Sequence, residues 1–250
     1  MDAYVTAPEH LRSVAFPAVT VLLDTRTGTV QALTGTAAKI WAEIATTADP
    51  QAPVAGIAPE TVARTVSALA QRRLLLSTAT AQPWSPPAIG HEPSPSWGTH
   101  VSPAALTAIP APPWPWHLPA AAALIATLIT RHAGRRQRRF ARLQRLATRQ
   151  TPLRPAPPAT VRHAVRAVRR VSRLIPARVA CLEESTAAMV TLRALGYSAQ
   201  WRHGVATDPI RLHAWVQAGG RPVDEPADTA NYTPFPGAFH ERPDPAGSLG

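Results

Sequence analysis

A proline-rich stretch at residues 83–117 restricts most strongly how this 250-residue chain can fold. Ten of its 28 prolines fall there, in PWSPPAIGHEPSPSWGTHVSPAALTAIPAPPWPWH. Proline fixes φ and removes a backbone donor, so neither a long helix nor a central strand can run through such a segment. It reads as a semi-extended linker with one compact unit on each side, each long enough to bury a core. Trp84, Trp97, Trp114 and Trp116 are unusual in a free linker. Either they dock on a neighbouring unit, or Trp114 and Trp116 begin the second one. The chain therefore divides into residues 1–82, a linker at 83–117, and a second domain at 118–250.

In the first unit, VTVLLD (19–24) and TVQAL (29–33) read as two strands around a turn whose Gly28 supplies φ freedom. Thr36 is the expected cap of a helix through AAKIWAEI, with Ile40, Trp41 and Ile44 on its apolar face. Pro59 opens a second helix with Val62, Val66 and Leu69 at core spacing. Short strands with helices of this kind predict a winged-helix-like α+β module. A DNA-reading role is disfavoured, because the second helix carries only Arg64, Arg72 and Arg73.

The second domain holds the chemistry. Cys181 is the only cysteine, so it has no partner for an intrachain disulfide. It opens CLEESTAAMVTLRALG, which reads as a helix starting at the cysteine and ending at Gly196. A helix N-terminus presents unpaired N–H groups and the positive end of the dipole, which favour a thiolate. Thirty-two residues on, His213 alternates with its neighbours in the strand-like LHAWV, and Gly219-Gly220 turns the chain into RPVDE. A thiol at a helix start, a histidine on one strand and an acid on the next form a nucleophile, base and orienter. With Gly219-Gly220 or Ala218-Gly219 as a two-residue loop, pleat parity places Asp224 on the His213 face. A three-residue loop would bring Glu225 there instead. The two-residue loop is the commoner, so Asp224 is the preferred third member. His203, Asp208 and Asp228 are read as surface groups or loop caps.

The net charge of +11 comes almost wholly from arginine, Lys39 being the only lysine. Fifteen arginines and no acid lie between Arg131 and Arg178. Two amphipathic helices fit this run. One carries Phe140, Leu143 and Leu146, and the other Val161, Val165, Val168, Val171 and Ile175. A solvated basic face is the first reading of the arginines, and a docking surface for an acidic partner the second. Nucleic acid is not an expected partner. The apolar stretch from Pro119 to Thr130 is too short to span a bilayer, and the start of the chain lacks a secretory pattern. Membrane insertion is therefore not expected, and a cytoplasmic protein with a reduced thiol is. No phosphate loop, dinucleotide fingerprint or Cys/His metal cluster is present, so no cofactor is expected.

Two stretches resemble known families. VACLEESTAAMVTLRALGYSAQWRHGV followed by LHAWVQAGGRPVDE resembles the transglutaminase-like leader peptidase of lasso-peptide biosynthesis, over residues 119–239. VLLDTRTGTVQALTGTAAKIWAEI and VSALAQRRLLL resemble the RiPP precursor recognition element, the leader-binding domain related to the pyrroloquinoline-quinone peptide chaperone. The first resemblance implies a papain-like cysteine peptidase with Cys181 as nucleophile and His213 as base; its His-Ala-Trp pattern implies that Trp215 packs beside His213, and its usual aspartate again points to Asp224. The second implies that a precursor's leader peptide adds as a strand beside Thr29, Val30, Gln31 and Leu33. Together they imply two partners: the precursor peptide, and the asparagine-synthetase-like lasso cyclase that closes the ring afterwards.

Overall fold

The computed structural model describes residues 4–91, 111–148, 153–175, 179–207 and 209–237. These divide into a unit ending at residue 91 and a second beginning after it. In the first unit the elements run β1 (Tyr4–Thr6), β2 (Leu11–Ala15), β3 (Val19–Asp24), β4 (Val30–Thr34), α1 (Gly35–Thr47), α2 (Pro59–Gln71), β5 (Leu76–Thr78) and β6 (Ala88–Ile89). One sheet has the order β4-β3-β2-β6, and β1 pairs with β5 separately. The β3–β4 turn forms because the Asp24 side chain accepts the Arg26 N–H at 2.7 Å while Gly28 takes φ 77°. Leu22 and Leu33 bury against Ile40, Trp41 and Ile44 of α1 and Val62, Val66 and Leu69 of α2. The helical apolar stripes lie where their spacing put them.

Three details differ from the sequence reading. Helix α1 starts at Gly35, so Thr36 is not its cap, and Thr34 in the cap position makes no side-chain hydrogen bond. The two predicted strands are joined by four others, three of them only two or three residues long and too brief to show a periodicity. The unit also runs past residue 82. Trp84 donates its backbone N–H to the Ala45 carbonyl at 3.0 Å and sets its ring 5.6 Å from Trp41, and β6 lies parallel to β2. Residues 83–91 thus pack with the first unit, and Trp97 lies outside the described residues.

The second unit contains α3 (His117–His132), α4 (Arg139–Thr148), β7 (Arg154–Pro155), α5 (Pro158–Ser172), α6 (Cys181–Ala194), β8 (Tyr197–Ser198), β9 (Gln200–Ala206), β10 (Arg211–Ala218), β11 (Arg221–Pro222) and β12 (Thr233–Pro234). Its sheet has the order β11-β10-β9-β12. Helix α6 is the hub, packed by α3, α4, α5 and β10. Its sequence explains why. Ala187, Ala188, Thr186 and Thr191 are small and fully or almost fully buried, so neighbouring helices approach closely on all sides. Thr186 and Thr191 satisfy their hydroxyls on the carbonyls four residues back. Helix α5 buries Val161, Val165 and Val168 and exposes Arg162, Arg170 and Arg173, while Trp116 packs on this unit's core. Burial on α4 falls on Phe140, Leu143 and Ala147, with Leu146 half-buried. Among the described residues no helix is long and apolar enough to cross a membrane.

Candidate active site

Cys181 is the first residue of α6 and is half-buried. Its helix start is fixed from two sides. The Glu183 carboxylate accepts the Ala180 N–H at 3.1 Å, half of a capping box, and is itself held by Arg131 at 2.6 Å. The thiol lies against β10, on which α6 packs. There it hydrogen-bonds the His213 imidazole and takes backbone N–H groups from Ala214 and Leu182. Burial raises the thiol's pKa, but the His213 hydrogen bond, those two N–H groups and the imidazolium charge outweigh it, and the net shift is downward.

The Nε2 atom of His213 lies 2.9 Å from Oε2 of Glu225, which leaves Nδ1 for the thiol. Burial disfavours the imidazolium, yet the hydrogen bonds to Cys181 and Glu225 and the Glu225 charge prevail and push the pKa up to about 9. Both shifts favour the same form of the coupled pair, thiolate beside imidazolium. Trp215 stacks on His213 with centroids 5.7 Å apart, as the resemblance of LHAWV implied. Gly204 makes that packing possible, since a Cβ there would lie 2.7 Å from the Trp215 ring. Tyr232 covers another face of the imidazole at 5.2 Å.

The structure brings Cys181 and His213 together as the sequence placed them, but it does not put Asp224 on the histidine. The expected loop is present: Gln217 pairs with Pro222 and Ala218 with Arg221 around Gly219-Gly220, both at positive φ. Parity then fails one step later. Asp224 sits at φ 58°, a left-handed residue that breaks the strand alternation like a bulge just before Glu225. Glu225 therefore reaches His213, while Asp224 turns to Arg166, which donates to its Oδ1 at 2.7 and 2.9 Å. The error lay in extending strand alternation beyond a strand only two residues long.

Two further expectations change. His203 is buried against Phe140 and Trp201, not on the surface, and burial lowers its pKa to about 3. Asp228 is exposed as expected, and Asp208 lies outside the described residues. The arginine run is also more than a solvated face. Arg131 pairs with Glu183, Arg166 with Asp224 and Arg169 with Glu225 at 2.6 Å. Their signal was available: Arg166 and Arg169, one turn apart, flank the buried valine stripe of α5. Tyr232 had no comparable signal in the sequence.

Residues 124–236 match the transglutaminase-like superfamily, a span that holds Cys181, His213, Asp224 and Glu225. This segment is a transglutaminase-like domain. No curated protein and no solved structure matches the chain. The thiol at a helix start and the histidine on a strand are thus carried by a mixed α+β domain of cysteine peptidase or acyltransferase type. Among the described residues no group of three or more His, Cys, Asp or Glu is placed to hold a metal ion.

Proposed function

We propose that this chain is a leader peptidase of lasso-peptide biosynthesis. Its transglutaminase-like domain would cut the leader–core bond of a ribosomally made precursor. The observation that carries this reading is the Cys181–His213–Glu225 arrangement at the N-terminus of α6. In the reaction, the Cys181 thiolate attacks the scissile carbonyl, and N–H groups of the first α6 turn receive the developing oxyanion. His213, protonated at Nδ1, gives that proton to the departing amine and leaves a thioester on Sγ. Water then attacks the thioester while His213 takes its proton, releasing the leader as a carboxylate and restoring the thiolate–imidazolium pair. Glu225 holds the ring by Nε2 and balances its charge throughout.

The first unit supplies the rest of the reading. Strand β4 ends the sheet order, and no described strand pairs with its outer edge. The backbone of residues Thr29, Val30, Gln31 and Leu33 can therefore accept an added strand, the Leu33 side chain being committed to the core. Tethering a leader-binding unit to a peptidase raises the local concentration of the scissile bond. The cyclase of asparagine-synthetase type is the partner that would consume the freed core amine, and the cytoplasm is where both would meet the precursor.

The same three groups would also serve glutamine deamidation or acyl transfer, with ammonia leaving in place of an amine. A peptide library with blocked N-termini, incubated with the full chain, separates these reactions. Peptide hydrolysis exposes new amines that Cys181→Ala fails to produce. Glutamine chemistry leaves every chain intact with an altered side chain, and that result would refute the peptidase reading. Binding is tested with the precursor encoded beside the protein's own reading frame. Val30→Pro should weaken its affinity for the full chain, and an unchanged affinity would reject β4 as the docking edge.

A further inference from the structure

The α5 arginines have a placement that the reaction scheme does not use. Arg169 forms four contacts around the acid loop. Its Nη2 reaches Glu225 Oε1 at 2.6 Å, its Nη1 donates to the Asp224 carbonyl oxygen and lies 3.8 Å from Asp224 Oδ2, and its Nε lies 3.6 Å from Glu184 Oε2. Glu184 is in turn held by the Ser172 hydroxyl at 2.8 Å. The Glu225 side chain is only 4% exposed, so its carboxylate has one oxygen on Arg169 and the other on His213. Glu225 follows the left-handed Asp224, two residues past the end of a two-residue strand, and has a proline after it.

We propose that Arg169 is a positioning residue: it fixes the Glu225 carboxylate against His213 and so sets the pH range over which Cys181 and His213 remain an ion pair. Arg166 acts one step further out, by anchoring Asp224 and the kinked backbone. The inference rests on Cys181 and His213 being nucleophile and base, and deepens that reading.

Positioning and simple charge move the His213 pKa in opposite directions. A guanidinium near an imidazole disfavours imidazolium, so removing its charge alone would raise the His213 pKa. Removing the anchor instead frees Glu225 from the ring and withdraws the hydrogen bond and negative charge that favour imidazolium, so the pKa falls. The other groups facing the pair are Cys181 and Glu184 from α6, Arg166 from α5, Asp224 from the acid loop, and Tyr232, which itself feels Arg211 and Asp228. Arg169→Gln leaves all of these in place.

The test is an NMR titration of the His213 ring in the full chain, paired with iodoacetamide alkylation of Cys181 across pH. No peptide is present, so the outcome is independent of which bond the protein cleaves. Arg169→Gln should lower the His213 pKa by about one unit, the size expected when a close opposite charge is lost. It should also move the acid limb of alkylation upward. Glu225→Gln should shift the ring in the same direction, and the double variant should add little to either single one. Arg169→Lys should recover part of the shift, and Arg166→Gln should give a smaller one of the same sign. These two also carry the test if Arg169→Gln does not fold. A rise in the His213 pKa, or lower stability with an unmoved titration, would overturn the proposal.

Discussion

Glu225 and Asp224 are adjacent acids with opposite surroundings, so replacing each in turn tests the site sharply. In Glu225→Ala the imidazole loses its 2.9 Å partner at Nε2, and Arg169 loses its 2.6 Å one. A hydrogen bond involving a charged group contributes about 1.5–3 kcal/mol. If that bond is at full strength only when His213 is positively charged and aligned, kcat/KM should fall roughly 10- to 150-fold, at about 1.4 kcal/mol per tenfold. Asp224→Asn loses part of an ion pair with Arg166 that is partly open to solvent, and asparagine tolerates the left-handed φ of 58°. Its effect should stay below about fivefold, corresponding to the ~0.2–1 kcal/mol typical of partly exposed pairs. The assay is appearance of new peptide amines, with urea unfolding to separate stability from activity. Were Asp224→Asn the more damaging change, the orienting role would belong to Asp224 and the assignment to Glu225 would be wrong.

Three other consequences follow from the same geometry. Because His213 stays protonated up to about 9, activity should hold through neutral pH and decline as pH passes that value, when the leaving amine loses its proton donor; an alkaline limb near 6.5 would mean that the ion pair does not form. His203 is held neutral down to about 3, whereas an unfolded histidine takes up a proton below about 6.5, so the unfolded state binds more protons between those values. Its contribution to stability is complete above that range and falls with pH, by about 2 kcal/mol at pH 5, and His203→Phe should remove that increment from the difference between denaturation midpoints at pH 7 and pH 5. Gly204→Ala would set a Cβ 2.7 Å from the Trp215 ring and 3.1 Å from the Thr233 carbonyl oxygen, so it should cost about 1–3 kcal/mol in urea unfolding and slow Cys181 alkylation by displacing the ring that stacks on His213; an unchanged rate would show that Trp215 does not position the histidine.

Much of this was readable from the chain because it rests on local rules. Cys181 at the start of α6, the Gly219-Gly220 turn, and the buried faces through Ile40, Val62 and Val161 each follow from a period, a cap or a turn residue. What escaped depends on contacts across the fold. The left-handed Asp224 is fixed by Arg166 and Arg169, some 55 residues earlier, and no sequence pattern around VDEP announces it. The arginine run looked uniform because composition cannot tell Arg162, in solvent, from Arg166, turned toward an acid. His203 was misplaced because a polar residue on a short strand shows which face it takes only when the aromatic rings of Phe140 and Trp201 are seen to enclose it. Trp84 was read as linker because its partner, Trp41, lies on another element.

The central claim is that Cys181 breaks a backbone amide through a thioester. Its most direct test is intact-protein mass spectrometry after rapid acid quench during turnover of the precursor in water enriched in heavy oxygen. The account predicts a leader acyl group on Cys181 that disappears as a leader carboxylate labelled with one heavy oxygen accumulates, and neither species with Cys181→Ala. Cleavage that persists in Cys181→Ala, or an acyl group that passes to an amine with no labelled carboxylate released, would contradict it.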